Sequence, residues 1–174
     1  FPQGEYAPLA AYNAAICYQE LEEWHSAIGS LERFAADYPD HEKAEGVWLQ
    51  IAALYQEELG DWPRAVEAYD RAAGQPAAPL AEIRYRQGEC LVEGDDLDGA
   101  IARFEAAAQA GAATDPFRIA ALAEIGRIGE ERGEWDLAIG AYERIIAAGG
   151  KPEWTTMAED RIAAIREAGV SAGG

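Results

Sequence analysis

Four stretches of this chain share one pattern, and that recurrence limits the fold more than any other feature. They run Glu22-Glu23-Trp24-His25-Ser26-Ala27-Ile28, Gly60-Asp61-Trp62-Pro63-Arg64-Ala65-Val66, Asp95-Asp96-Leu97-Asp98-Gly99-Ala100-Ile101 and Gly133-Glu134-Trp135-Asp136-Leu137-Ala138-Ile139. Each is a polar turn, a large apolar residue, a short spacer, then Ala and a β-branched residue. The alanines at 27, 65, 100 and 138 lie 38, 35 and 38 residues apart. A period of this size marks a stacked repeat, in which each copy buries its apolar face against the next.

The units are helical hairpins. Leu31, Tyr69, Phe104 and Tyr142 stand three residues beyond the β-branched position, which is the spacing of one helix face. Upstream of each turn a second amphipathic stretch contributes Ala14, Ala15 and Tyr18; Trp48, Ile51, Ala52 and Tyr55; Tyr85, Gly88 and Leu91; and Leu122, Ile125 and Gly126. Ala15, Ala52, Gly88 and Gly126 share one site, where a small residue lets the two helices approach closely. Pro8, Pro79, Pro116 and Pro152 sit where first helices begin, and Asp115 is a good N-cap. Abundant alanine and sparse β-branched residues also favour helix over strand. The expected helices are 6–21, 24–37, 41–58, 62–73, 78–93, 97–109, 116–132, 135–148 and 152–167.

The second repeat carries the most specific resemblance. Its Trp48, Ile51, Ala52, Tyr55, Gly60, Asp61, Ala65, Tyr69 and Ala72 are similar to the tetratricopeptide repeat family, whose period is ~34 residues. It has one extra residue before the turn. Ala11, Arg84 and Gly129 depart from the family pattern. The resemblance implies an all-α, right-handed superhelix of stacked antiparallel hairpins, about nine helices in a single array over 1–174. Repeats are expected at approximately 5–39, 41–76, 78–112 and 116–150, with a closing helix at 152–167. Phe1-Pro2 matches the Tyr38-Pro39 ending of the first repeat, so the chain is read as a fragment of a longer protein. The Ser171-Ala172-Gly173-Gly174 tail reads as linker.

Register also accounts for the residues that would otherwise suggest chemistry. Cys17 and Cys90 occupy the site held by Leu54 and Ile128, so both are expected as buried hydrophobes, too far apart for a disulfide. Trp24, Trp62 and Trp135 recur at one repeat site and are expected in the core rather than on a base-stacking platform. His25 and His41 have no partner at ligand spacing. Gly94–Glu105 superficially resembles a calcium loop, but Gly94 replaces the first ligand, and Ala100, Ile101 and Phe104 read as helix core. No phosphate loop, catalytic set or metal signature is present, so no catalytic residue, metal or cofactor is assigned and the chain is not expected to be an enzyme.

The formal net charge of −18 disfavours nucleic acid and anionic membrane surfaces and suits a basic protein or peptide. No apolar run approaches a membrane span. In a stack of this type the first helix of each repeat lines the concave wall. The expected partner-binding residues are Tyr12, Asn13, Gln19, Gln50, Gln56, Tyr85, Arg86, Glu89, Glu124, Arg127 and Glu131, with Ile16, Ala53 and Glu93 beside them. Only Asn13, Arg86 and Arg127 resemble the Lys, Asn and Arg set that family members use to clamp chaperone carboxylates, and Glu89, Glu124 and Glu131 oppose them. Chaperone-tail capture is therefore not expected. The ending Leu31-Glu32-Arg33-Phe34-Ala35-Ala36-Asp37-Tyr38-Pro39 is similar to bacterial cell-envelope repeat proteins of the barrel-assembly lipoprotein and Tol-Pal-associated types. It implies a scaffold or adaptor in a periplasmic or envelope assembly. A repeat segment of a larger enzyme, a self-assembly module and a cytoplasmic location are the alternatives.

Overall fold

Helix stop signals set the architecture. The computed structural model describes residues 6–171, and among them are nine α-helices and no strand. They form two compact units, divided between Ala78 and Pro79. The first holds α1 (Ala7–Glu20), α2 (Trp24–Asp37), α3 (Ala44–Ala53), a π-helical turn (Leu54–Glu58) and α4 (Trp62–Ala73). The second holds α5 (Leu80–Glu93), α6 (Leu97–Ala110), α7 (Pro116–Arg132), α8 (Trp135–Ala148) and α9 (Pro152–Ser171). The Phe1-Pro2 comparison and residues 172–174 lie outside the described residues. Ser171, expected in a linker, is the last residue of α9.

Each hairpin turns through one left-handed residue: Glu22 (φ 57°), Gly60 (φ 59°), Asp95 (φ 61°) and Gly133 (φ 68°). The residue after it donates its N–H back to the last helical turn: Glu23 to Tyr18 O, Asp96 to Leu91 O, Glu134 to Gly129 O. This closure satisfies carbonyls that a helix end leaves unpaired. In the second hairpin Asp61 N reaches Tyr55 O, one residue further back, and Leu59 N reaches Leu54 O at 3.2 Å. The extra residue seen in the sequence is thus absorbed as a π turn, which leaves the hairpin register intact.

Within each unit the hairpins stack. In the first, α1 packs on α2 and α3 on α4, with α2 against α3. In the second, α5–α6 and α7–α8 form hairpins, α6 packs on α7, and α9 covers α8. Ala27, Ala65, Ala100 and Ala138 are all fully buried. So are Ala15, Ala52, Gly88 and Gly126 on the facing helices. Leu31 and Phe104 are completely covered, and Tyr69 and Tyr142 nearly so.

Three expectations need correction. First, α3 begins at Ala44 rather than 41, because His41 is held in a turn. Its Nδ1 accepts from Lys43 N, and its ring lies edge-on to Phe34 at 5.4 Å. Secondly, Cys90 is buried but Cys17 is exposed, and Ala14, read as core, is exposed too. Both lie on a face of α1 against which no described helix packs. Thirdly, the tryptophan site is not core. Trp24 and Trp62 are half-buried and Trp135 is 46% exposed. This first residue of the second helix lies across the turn, where the Trp62 and Trp135 rings pass over Gly60 and Gly133. The stretch that superficially resembles a calcium loop is helical from Leu97, as its apolar spacing implies, and Asp96 caps it by accepting from Gly99 N at 2.9 Å.

A candidate binding wall on the first helices

In the first unit the wall is set by the hairpins' own closure. Tyr12 is half-buried, with its ring edge-on to Phe34 at 5.4 Å and Lys43 Nζ 5.0 Å from its centroid. Its hydroxyl accepts from Gln50 Nε2 at 2.6 Å, which ties α1 to α3. Asn13 is exposed beside it. Ile16 and Gln19 of α1 meet Gln50 and Ala53 of α3 around a cleft of about 470 Å³. Trp24 and Leu54 complete its apolar lining, and Glu20, Glu57 and Glu58 add three carboxylates. Among the described residues these three glutamates have no ion-pair partner. Glu57 and Glu58 come from the π turn. They were missed as candidates, although the extra residue before the turn was the available signal.

Two amide atoms on this cleft's wall, Gln19 Nε2 and Gln50 Oε1, are buried without a hydrogen-bond partner. Leaving such a group unpaired costs about 1–3 kcal/mol. Gln56 is different: its Oε1 accepts from Tyr69 Oη at 2.7 Å, so it is engaged within its own hairpin.

In the second unit Glu89, Glu124 and Arg127 come together with Val92, Glu93 and Phe104 around a cleft of about 220 Å³. Its charges are largely matched. Arg86 pairs with Glu89 at 3.1 Å, and Arg127 pairs with Glu124 at 2.8 Å and with Glu131 at 2.6 Å. The hydrogen bond that Arg127 donates to Glu124 foremost raises the Arg127 pKa. Tyr85 lies between the rings of Phe104 and Phe117, at 5.7 and 5.8 Å. Burial, with Glu89 and Glu124 nearby, pushes its hydroxyl up to about 12. Arg86 and Arg127 are thus held by in-wall carboxylates, whereas the first unit's cleft keeps its negative charge. Among the described residues no three His, Cys, Asp or Glu side chains converge as a metal site, and no helix is long and apolar enough to cross a membrane.

The comparisons with known proteins agree with this architecture. Residues 9–41 and residues 52–116 each match a family model described as tetratricopeptide repeat. No curated protein matches the chain in sequence. Among solved structures, one titled "Crystal structure of MamA protein" superposes with a TM-score of 0.65 at 18% identity, over 97% of this chain and 88% of that one. At that identity the likeness shows the fold. The chain is therefore built of tetratricopeptide repeats and carries the helical solenoid fold of such proteins.

Proposed function

We propose that this chain is a protein-interaction segment, a scaffold or adaptor without catalysis of its own, and that it binds its partner through the faces that the first helices of its hairpins present within each unit. One observation carries the reading. Gln and Glu side chains of α1 and α3, and Glu and Arg side chains of α5 and α7, line clefts, while small and aliphatic residues of the same helices make the core. Tetratricopeptide repeats generally mediate protein–protein contacts, which supports it. The acidic balance of the chain favours a basic partner. The Phe34 to Tyr38-Pro39 ending supports an assembly in the bacterial cell envelope, on the periplasmic side. Photo-cross-linking residues placed at Asn13 and Glu131 should capture a partner in the source cell, and one placed at Arg33 on α2 should not. Equal capture from all three sites, or none from the first two, would refute the wall. Fractionation of the source cell tests the compartment, and recovery in the cytosol alone would overturn it.

A second reading, self-assembly through α1, has its own observation. Ala10, Ala14 and Cys17 are exposed, whereas the equivalent Val47, Ile51 and Leu54, and Ala121, Ile125 and Ile128, are buried. Ala14→Arg should then abolish any concentration-dependent sedimentation, and a monomer at all concentrations would remove this reading.

A further inference from the structure

Resting on the wall reading, we infer that the cleft between α1 and α3 is an arginine- or lysine-selective subsite, which takes an extended peptide by one long cationic side chain and the backbone beside it. The four hairpins serve as controls on one another. Position 19 of the first repeat recurs as Gln56, Val92 and Glu130, and in those three hairpins this residue faces the large residue of the second helix. In the second and fourth hairpins that residue is a tyrosine, and its hydroxyl is taken up: Tyr69 Oη donates to Gln56 Oε1 and Tyr142 Oη to Glu130 Oε1, both at 2.7 Å. In the third, Phe104 has no hydroxyl and the facing residue is the apolar Val92. The first hairpin breaks the rule. Leu31 has no hydroxyl, yet Gln19 remains polar, with its Nε2 buried and unpartnered. A polar group kept where packing has no use for it marks a site held for something else.

That site is the 470 Å³ cleft, which lies within the ~300–1,000 Å³ range of ligand pockets. Gln19 supplies an unspent donor and Gln50 Oε1 an unspent acceptor. A peptide backbone offers the complementary carbonyl and N–H, which a small rotation of each amide brings into reach. Ile16, Ala53 and Leu54 form an apolar strip that suits a side-chain methylene stem. Glu20, Glu57 and Glu58 are the unpaired acids at the same cleft, and they suit the cationic head. In the second unit's cleft Arg86 and Arg127 already hold Glu89, Glu124 and Glu131, and among the described residues Glu93 alone is left against the three unpaired acids of the first.

The test uses the full chain and a randomised twelve-residue peptide display library. Selected peptides should carry Arg or Lys at one dominant position, and replacing that residue by norleucine should weaken binding at least tenfold. Gln19→Val, which copies the third repeat, should leave the melting temperature unchanged or raised and weaken the selected peptide at least fivefold. Glu57→Gln with Glu58→Gln should weaken it at least tenfold, while Glu89→Gln with Glu124→Gln should not. Selection of acidic or neutral peptides overturns the inference. So does binding that responds to Glu89 and Glu124 but not to Gln19, Glu57 and Glu58, although that result leaves the wall itself standing. A library that yields no binder overturns both.

Discussion

Gly88→Ala puts the hairpin contact to its sharpest test. An ideal Cβ at Gly88 would lie 2.4, 2.6 and 2.7 Å from Cε1, Cδ1 and Cζ of Phe104. Favourable carbon–carbon contacts lie at ~3.5–4.0 Å, so the ring must retreat by roughly an ångström. It has little room. Phe104 is fully buried among Ala100, Ala107, Ala121, Ile125, Ile128 and Ala141. Overpacking of this kind costs ~1–3 kcal/mol. Replacing Gly by Ala inside a helix returns ~0.5–1 kcal/mol. A net destabilisation of roughly 1–2 kcal/mol is expected in the second unit, read as a lower urea midpoint by circular dichroism.

The first hairpin supplies the rescue, because it makes the same contact with Ala15 and Leu31. Gly88→Ala with Phe104→Leu should therefore lose less than the two single changes together, with a coupling of about 1 kcal/mol or more. If Gly88→Ala alone is as stable as the wild type or more so, close helix approach is not what this glycine provides.

Three further outcomes follow from single sites. A thiol reagent should label one cysteine in the folded chain, the exposed Cys17, and both in urea, and rapid labelling of Cys90 in the folded chain would contradict its burial. Asp95→Gly should stabilise the third hairpin by up to about 1 kcal/mol and Gly133→Ala should destabilise the fourth by ~1–2 kcal/mol, both in denaturant melts, because Asp95 and Gly133 hold left-handed backbone at φ 61° and 68°. Burial pushes the Cys90 thiol from 9.0 up to about 12, and burial with the Glu130 hydrogen bond takes Tyr142 from 10.0 to about 12. Raised acids of this kind favour the folded state fully below their ordinary values and lose that contribution as pH rises toward 12. Melting temperature should therefore fall between about pH 9 and 12, less steeply in Tyr142→Phe, and tyrosine absorbance that titrates entirely near 10 would refute the Tyr142 value.

Helix ends were legible because their signals are local. Asp115 caps α7 by accepting from Phe117 N and Arg118 N, Pro116 and Pro152 open helices, and Gly133 closes one. The π turn was visible as a surplus residue, but not its form, since a loop could have absorbed the same length. Burial at Cys17 and Trp135 was misread for another reason. Equivalent sites have equivalent burial only when the same neighbours surround them, and register says nothing about neighbours. The Arg127 pairs to Glu124 and Glu131 follow i,i+3 and i,i+4 helix spacing, so they were readable in principle. The unpaired state of Glu57 and Glu58 was not, because it depends on what other helices bring near.

The repeat is best understood in pairs of residues rather than single positions. Phe104 and Tyr142 face glycines, and an added Cβ at Gly126 would meet Tyr142 Cζ at 2.4 Å, as one at Gly88 would meet Phe104. Leu31 stands with Ala15, a smaller apolar side chain with a larger facing residue. Tyr69 stands with Ala52, which shows that a ring and a methyl can also be reconciled, here in the hairpin that carries the π turn. The hydroxyls follow the same logic at the next position, where acceptors meet tyrosines and valine meets phenylalanine. Each hairpin therefore solves one contact with a matched pair, and a side chain that matches nothing in its own hairpin stands out. Gln19 is that side chain. Its mismatch cannot be traced to the core, because Val92 shows how the same repeat position is filled when the facing residue has no hydroxyl.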